Sequence, residues 1–317
     1  NNDIDYKFKL NPLRNTYINA DWYAEFEAYQ YYKKDILDSD VVIDMSHGKL
    51  VAQTLKTKNI KKEVCSYLIG NFWARPYPPY NIIVNSEKQL QLGINGLTGF
   101  EGTPFAKDHL NSGGIPSTSK YIHLGVNTDF YEFQEKKEDY FIWMGRFHPW
   151  KGPDTAIRLA KDTGINLILA GGFSNSPDHQ FWGKEYLKQI EGCSNIKHIP
   201  LPDDERHQPM KRDLIKSAKG FLNPIRFHES FGLVNIEALS CGTPVISNNM
   251  GALPEIIKHG ETGFLCNSYE QMKMYVNEID EISPRKCRED IEKRFSREVM
   301  AKNYEKLLEE LKNGMSW

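Results

Sequence analysis

Short apolar runs alternate with amphipathic segments through the second half of the chain, and this alternation constrains the fold more than any other feature. The runs have the length of buried strands and cover residues 141–145, 166–170, 196–199, 220–223, 244–247 and 263–266. Between them, apolar residues recur at helical spacing over 153–161, 181–190, 209–218, 231–240 and 253–258. Strands that alternate with helices predict βαβ units, in which right-handed crossovers build a parallel sheet covered on both faces.

The first half of the chain repeats this pattern less regularly. Strands are predicted over 41–44, 64–68, 82–84 and 121–125, with helices over 48–56 and from 86 onward. A chain of 317 residues has room for two domains of ordinary size. We therefore expect an α/β protein with two doubly wound, Rossmann-like domains, one over residues 1–136 and one over 137–283. The charged segment 284–317 has helical spacing and predicts a helical tail that packs back toward the first domain.

Composition and charge exclude several kinds of function. The chain carries 40 Lys+Arg and 42 Asp+Glu, so bulk attraction to nucleic acid or to an anionic membrane is not expected to drive its activity. No run approaches the ~18 apolar residues of a membrane span, and residues 1–10 lack the signal-peptide pattern. The 5 cysteines lie far apart without CxxC spacing, which argues against a disulfide framework and a zinc site. These features predict a cytoplasmic protein with reduced, mostly buried thiols.

The loop after the strand at 141–145 carries two cations. Ligands of parallel α/β sheets bind at the carboxyl ends of the strands, and Arg146 and Lys151 follow such an end. Together with the backbone N–H groups of the next helix, the two side chains can form an anion site. The spacing is not that of an ATPase P-loop, which has Gly before the Lys and Ser or Thr after it to hold Mg²⁺. It favours a metal-free diphosphate clamp, with ordinary solvated charges as the alternative.

A second loop and its helix carry two acids. Glu229 lies at the mouth of a strand-to-helix loop, and Glu237 follows inside a mostly apolar helix. Carboxylates accept hydrogen bonds from vicinal hydroxyls of a sugar or ribose, and a buried carboxylate needs a partner. The N–H groups of Phe231, Gly232 and Leu233 offer a further anion site. The alternative is a Glu229 favoured only by the helix dipole and a Glu237 that faces solvent.

Taken together, these motifs resemble the group 1 glycosyltransferases. The resemblance rests on G-R-x₄-K-G from Gly145, E-S-F-G-L-V-N-I-E-A-L-S-C-G-T-P-V from Glu229, G-A-L-P-E-I from Gly251 and H-G-E-T-G-F-L from His259. It is close over residues 141–266 and weaker over 41–127. The family implies two Rossmann-like domains of GT-B type that face each other across a cleft. It also implies retaining transfer of a hexose from a nucleoside-diphosphate sugar to a hydroxyl acceptor, with no metal or other cofactor.

The resemblance also implies a role for each candidate residue. Arg146 and Lys151 would stabilise the departing diphosphate, and Glu229 would contact hydroxyls of the donor sugar. Glu237 would hold the ribose hydroxyls, and His47 would approach the donor sugar, with a turn histidine as its alternative. The remaining substrate contacts are assigned to loop residues: Gly145, Gly172, Ser230, Phe231, Gly232 and Leu233.

The acceptor and the donor base are not specified by the sequence. A carbohydrate, a lipid-linked sugar and a small molecule all remain open as acceptors, and a lipid-linked one would bring the protein to the inner face of the membrane. The aromatic loop with Phe72, Trp73, Arg75 and Tyr77 fits either acceptor stacking or packing between domains. Asp38-Ser39-Asp40 matches the Asp-x-Asp metal motif of another glycosyltransferase class, but it precedes a strand and lies at the wrong edge for a ligand.

Two other functions fit the same residues: a nucleotide-sugar epimerase of this fold, and a non-catalytic nucleotide-sugar-binding subunit. The start of the chain also departs from the family, whose members open with a strand and a Gly-Gly loop. Residues 1–10 show neither, and Gly113-Gly114 comes too late in the chain. We therefore expect that the first domain is incomplete because residues before Asn1 are missing, or that its acceptor side diverges from the family.

Overall fold

A four-stranded parallel sheet forms the first unit of the computed structural model, which describes residues 34, 37–44, 63–67, 81–95, 97, 115, 117–172, 177–201, 205–315 and 317. Its strands lie in chain order: β1 Val41–Asp44, β2 Glu63–Tyr67, β3 Ile82–Val84 and β4 Lys120–Tyr121. Helix α1, Glu87–Ile94, follows β3 and is N-capped by Ser86. The helix predicted over 48–56 lies outside the described residues.

Six parallel strands form the second sheet, in the order β10-β9-β8-β5-β6-β7. They are β5 Phe141–Met144, β6 Leu167–Ala170, β7 Ile196–Ile199, β8 Gly220–Asn223, β9 Val245–Asn248 and β10 Gly263–Cys266. The chain runs outward from β5 to β7 on one side, then returns and runs outward from β8 to β10 on the other. This is the doubly wound order, and its direction reverses between β5 and β8. Loops after these two strands therefore meet where ligands of such sheets bind.

The helices of the second unit connect these strands and extend past them. They are α2 Pro153–Thr163, α3 Pro177–Gln189, α4 Gln208–Ser217, α5 Leu233–Ser240, α6 Leu253–Ile256, α7 Tyr269–Glu278, α8 Pro284–Arg294 and α9 Arg297–Lys312. Helix α5 begins two residues later than predicted because Gly232 has φ 95°, a left-handed conformation that an α-helix cannot include.

The strand predicted over 121–125 is shorter than expected. Strand β4 ends at Tyr121, and Val126 forms a bridge with Ser296 of the second unit. The chain crosses between the units at Gly125, where an added Cβ would lie 2.8 Å from Arg297 Cα. This close approach of two backbones requires glycine at position 125.

Each sheet has its own buried core. The large core surrounds the second sheet and includes Trp143, Phe147 and Phe221, all nearly inaccessible. The smaller core joins Cys65 and Ile83 of the first sheet to Leu307 and Leu311 of α9, so the last helix returns to cover the first sheet. All five cysteines carry free thiols, and Cys193 alone among them is not buried, as expected from their spacing. Within the described residues, no helix is both long enough and apolar enough to span a bilayer.

Candidate active site

The loop after β5 is built to present Lys151. A short 3₁₀ turn, Pro149–Lys151, is capped by His148, whose Nδ1 accepts from the Trp150 N–H at 3.4 Å. Gly152 ends the turn with φ 66°, and a Cβ there would overlap the carbonyl oxygen of Pro224. The indole N–H of Trp143 donates to the Lys151 carbonyl at 3.0 Å. The backbone of Lys151 is therefore fixed by the strand before it and by the segment that follows β8.

The loop after β8 holds Glu229 against the turn at 251–252. The Ala252 N–H donates to the Glu229 carbonyl at 3.0 Å, and the Gly251 N–H donates to His228 Nδ1 at 3.1 Å. Gly251 has φ 60°, and an added Cβ would overlap the backbone of Glu229. The G-A-L-P-E-I motif thus has a physical role, because its glycine allows the turn to pack directly on the acidic loop.

The two loops meet in a cation–carboxylate pair. Lys151 Nζ lies 2.7 Å from Glu229 Oε2, and the two side chains are only 23% and 17% exposed. The ammonium also lies 4.7 Å from the ring centre of Phe227. The Arg226 N–H donates to the Trp150 carbonyl at 2.8 Å and joins the loop backbones as well. The structure therefore brings two of the predicted residues into direct contact at the point where the strand order reverses.

The N-terminus of α5 lies in the same loop. Among the backbone hydrogen bonds of the described residues, none uses the N–H of Phe231, Gly232 or Leu233 as a donor. Phe231 is 1% exposed, whereas the Leu233 side chain is exposed. Available N–H groups at the positive end of a helix favour an anion. The arrangement is compatible with the predicted anion site.

One alternative from the sequence was that Glu237 faces solvent. The structure buries this side chain, so that alternative is wrong. It is 8% exposed, and its Oε1 accepts from the Tyr131 hydroxyl at 2.8 Å and from Lys211 Nζ at 2.9 Å. Burial, followed by the charge of Glu237, raises the pKa of Tyr131 well above its ordinary value. Lys211 Nζ also lies 2.7 Å from Oε2, which carries no hydrogen bond among the described residues. This charged cluster is separate from the Lys151–Glu229 pair.

Sequence reasoning missed Lys211 and Tyr131. A buried carboxylate predicts that some partner exists, but not which one. Lys211 lies on α4, which packs against α5, and Tyr131 is 106 residues from Glu237 along the chain. Only the packing of these elements identifies the partners.

Arg146 lies apart from the Lys151–Glu229 pair and is exposed. Burial lowers the pKa of His148 and His179, and the positive charge of Arg146 contributes to both shifts. His148 Nε2 lies 2.9 Å from Asp178 Oδ2, a contact that links the cationic loop to the first turn of α3 and that the sequence did not indicate. Arg146 therefore belongs to the same loop as Lys151 and lies near enough to His148 and His179 for its charge to lower their pKa values.

The remaining predicted residues divide into described and undescribed ones. Gly145 follows β5, and its N–H donates to the carbonyl of Ala170 at 3.2 Å, which places Gly172 at the neighbouring strand end. His47, the Gly113-Gly114 pair and the aromatic loop with Phe72, Trp73, Arg75 and Tyr77 lie outside the described residues. Asp40 of the Asp-x-Asp match lies just before β1 and pairs with Lys312 at 3.0 Å.

Two cavities among the described residues do not include the paired acids and cation, although Arg226 of the loop after β8 borders the second one. One of about 310 Å³ is bordered by Lys137 and Lys219, and one of about 440 Å³ lies between the start of α2 and the start of α7. Neither is lined by Lys151, Glu229 or Glu237. The candidate site is therefore defined here by the side-chain pairing at the sheet edge.

Solved structures of similar fold are glycosyltransferases. AviGT4, a glycosyltransferase involved in avilamycin A biosynthesis, matches with a TM-score of 0.68 at 23% identity, covering 93% of this chain and 80% of that one. Anabaena Alr3699/HepE in complex with UDP-glucose matches with a TM-score of 0.66 at 17% identity, covering 92% and 82%. At these identities the likeness establishes the fold, which is the expected two-domain GT-B arrangement.

Sequence comparison extends this result to the family. The D-inositol 3-phosphate glycosyltransferase of Mycobacterium avium is 32% identical over 171 residues, which is 49% of this chain but 38% of that enzyme. The corresponding enzyme of Mycobacterium bovis is 31% identical over 50% of the chain and 35% of its own length. Residues 127–304 match the family described as Glycosyl transferases group 1. Since this match covers more than half of the chain and contains both site loops, the protein belongs to the group 1 glycosyltransferases.

Proposed function

We propose that the protein transfers a sugar, with retention of configuration, from a nucleoside-diphosphate sugar to a hydroxyl of an acceptor, and that it needs no metal to do so. The contact between Lys151 Nζ and Glu229 Oε2, 2.7 Å apart where the strand order reverses, carries the proposal. A cation that can bind phosphate and a carboxylate that can accept from sugar hydroxyls then lie close enough to contact the same donor molecule. The available N–H groups at the start of α5 support an anion at the same place.

In this proposal, the protein acts by orientation and by charge stabilisation. Lys151 and Arg146 neutralise the charge that develops on the leaving diphosphate, and the N–H groups of residues 231–233 bind its oxygens. Glu229 accepts hydrogen bonds from hydroxyls of the donor sugar and fixes its ring. Donor binding thus gives both members of the pair a new partner, because phosphate replaces the carboxylate beside Lys151.

The bond changes balance without a protein nucleophile. The acceptor oxygen forms a bond to the anomeric carbon on the face from which the diphosphate departs, while the bond between that carbon and the diphosphate oxygen breaks. The proton of the acceptor hydroxyl passes to the leaving phosphate oxygen. In this proposal, Lys151 and Arg146 supply the charge stabilisation of the leaving group, so no step requires a metal ion.

Glu237 fits the ribose role through its second oxygen. Tyr131 and Lys211 hold Oε1, and Lys211 Nζ also lies 2.7 Å from Oε2, so the ammonium faces both oxygens. A ribose hydroxyl that donates to Oε2 would add a second partner to this oxygen, since a carboxylate oxygen accepts at more than one lone pair. This supports a nucleoside bound beside α5, with its diphosphate directed toward Lys151.

The relatives suggest which donors to test first. The Anabaena structure holds UDP-glucose, so UDP and UDP-glucose are the first probes. In a thermal-shift panel of UDP, GDP and ADP, we expect one to raise the melting temperature, since a ligand at 100 times its Kd adds about 2.7 kcal/mol. The matching nucleotide sugar should then be turned over in EDTA, and NMR of the product should show a retained anomeric configuration. Failure of all three nucleotides to bind would reject the proposal. Recovery of an epimerised donor would show that the protein is an epimerase and not a transferase.

A further inference from the structure

Glu255 of α6 caps a helix that belongs to the other unit. Its Oε2 accepts from the Glu87 N–H at 3.0 Å and its Oε1 from the Lys88 N–H at 2.8 Å. Both N–H groups lie in the first turn of α1, where a helix has no internal acceptors and carries partial positive charge. A carboxylate of the second unit therefore satisfies the helix terminus of the first.

His123 joins this contact to the acidic loop. Its Nε2 lies 2.8 Å from Glu255 Oε2, and the two side chains are 27% and 19% exposed. The imidazole ring lies 5.8 Å from the ring of Phe231 and 5.3 Å from that of Phe295. Since Phe231 follows Ser230 directly, the position of His123 is coupled to the loop that carries Glu229.

Ser86 makes the most direct connection between the two units. Its hydroxyl oxygen caps α1 by accepting from the Gln89 N–H at 3.0 Å, and the same hydroxyl donates to the Ser230 carbonyl at 2.6 Å. The Ser86 side chain is inaccessible to solvent, so this bond has no competition from water. One hydroxyl thus orders both the start of α1 and the acidic loop, 144 residues away.

The backbone beneath Glu255 is fixed independently. The guanidinium of Arg294 donates to the carbonyls of Glu255 and Ile256, at 2.7 Å each. It is also paired with Asp290, which is itself held by Lys258. The Glu255 carboxylate is therefore presented to α1 by a rigid support, and the contact does not depend on a mobile side chain alone.

We propose that Ser86, His123 and Glu255 form an interdomain cluster that positions the acidic loop for sugar transfer, with Glu255 as its central positioning residue. The inference rests on the proposed function. The cluster touches the backbone of the loop and not the donor: it sets where Glu229 and the N–H groups of 231–233 lie. Because transfer depends on orientation, a small displacement of this loop lowers turnover more than it lowers donor affinity.

Two substitutions test the cluster, with one matched control. Glu255→Gln keeps the size of the side chain but leaves one acceptor oxygen in place of two, and Ser86→Ala removes the hydroxyl. Ser268→Ala is the control, because Ser268 caps α7 in the same way, accepting from the Gln271 N–H at 3.2 Å. Ser86→Thr keeps the hydroxyl and should restore wild-type behaviour. The readouts are hydrogen–deuterium exchange of peptides covering 84–95 and 229–236, nucleotide Kd, and kcat and KM for the donor.

We expect Glu255→Gln and Ser86→Ala to speed exchange in both peptides and to lower kcat about tenfold, with nucleotide Kd changed less than about twofold. Ser268→Ala and Ser86→Thr should change none of these. Unchanged exchange at 229–236, or faster exchange without a loss of kcat, would overturn the positioning role. If the wild-type protein turns over no donor, the proposed function fails, while the exchange of 229–236 still decides whether the cluster holds the loop.

Discussion

Lys151 Nζ and Glu229 Oε2 lie 2.7 Å apart, although 78 residues separate them along the chain. The contact exists because β5 and β8 are neighbours in the sheet, so the loops that follow them leave the same edge side by side. Each residue is the other's partner in the unliganded protein. A donor that binds here exchanges this internal pair for two contacts of its own, and the two residues should therefore respond differently to substitution.

Removal of the ammonium should reduce turnover strongly. For Lys151→Ala we expect kcat to fall about 100-fold, since one preorganised donor to developing charge contributes ~3 kcal/mol to transition-state stabilisation. Arg146→Ala should have a similar effect, and Arg146→Lys should not restore the rate if the guanidinium binds phosphate through two N–H groups. The control is Lys161→Ala on α2, whose exposed ammonium donates to the Gln189 carbonyl. A wild-type kcat in Lys151→Ala would contradict the proposed role.

Removal of the negative charge at Glu229 should separate phosphate binding from sugar binding. In Glu229→Gln the carboxylate no longer competes for Lys151, so a nucleoside diphosphate should bind as well as to the wild type or up to about tenfold more tightly. The nucleotide sugar should lose affinity relative to the diphosphate, and kcat should fall, because the sugar hydroxyls lose a charged acceptor. Isothermal titration of both ligands measures the difference. Equal losses of affinity for the nucleoside diphosphate and for the nucleotide sugar would mean that Glu229 does not contact the sugar.

A methyl group at Gly232 should disturb the site as well as the backbone. Gly232 has φ 95°, and an added Cβ would lie 2.6 Å from Asn235 Nδ2 and 3.3 Å from Glu229 Cγ. Gly164 provides the control, because it has φ 74° with nothing within 4 Å of an added Cβ. Both alanine variants should lose about 1–2 kcal/mol of unfolding free energy from the left-handed backbone. Gly232→Ala alone should also weaken nucleotide binding, and equal nucleotide affinity in the two variants would contradict the site.

The sequence was sufficient to predict the strands of the second sheet and the positions of the candidate loops, but not the contacts that these loops make. Short apolar runs predicted β5 to β10 to within one residue, and the position of each loop after a strand identified 145–152 and 228–233 as candidates. Local patterns carry this information. The pairing of Lys151 with Glu229 depends on strand order, and the Ser86–Ser230 bond depends on how two units pack.

The side of α5 that Glu237 faces could not be predicted either. The helix around it is apolar on several sides, so spacing alone left solvent and interior equally open. Its ion pair with Lys211 came from the packing of α4 on α5, which involves residues far apart in the chain. Contacts of this kind follow from tertiary structure and leave no short-range signal.

The buried Glu237 cluster should contribute to stability as a unit. Lys211→Met leaves Glu237 without its cation, and we expect a loss of about 2–4 kcal/mol of unfolding free energy. Tyr131→Phe removes one hydrogen bond to a charged acceptor and should cost about 1.5 kcal/mol. The control is Lys188→Met on α3, whose pair with Glu185 is exposed and screened by solvent, so its loss should change stability far less. Urea unfolding of the variants and of a Lys211–Glu237 double-mutant cycle measures these values, and a coupling energy near zero would contradict the cluster.

Lys137 lies just before β5 and is held by residues of the second unit. Its ammonium donates to the carbonyls of Lys216 and Cys241, at 2.9 Å each, and to the Thr243 hydroxyl at 3.0 Å. Burial lowers the pKa of Lys137 from 10.5 to about 8, because the loss of solvent outweighs the opposing effects of Cys241, Cys287 and Glu135. The folded protein therefore binds fewer protons than the unfolded chain between pH 8 and pH 10.5.

The sign of the pH dependence follows from this difference in bound protons. Stability rises with pH wherever the unfolded state binds more protons, by at most about 1.4 kcal/mol per pH unit for one group. We therefore expect the unfolding free energy of the wild type to increase relative to that of Lys137→Met as the pH rises from 8 to 10. Below pH 8 the difference should be constant, because Lys137 is protonated in both states. Comparing the two proteins cancels the titration of groups that Lys137 does not act on, so parallel stability curves from pH 7 to 10 would show that the Lys137 pKa is not lowered.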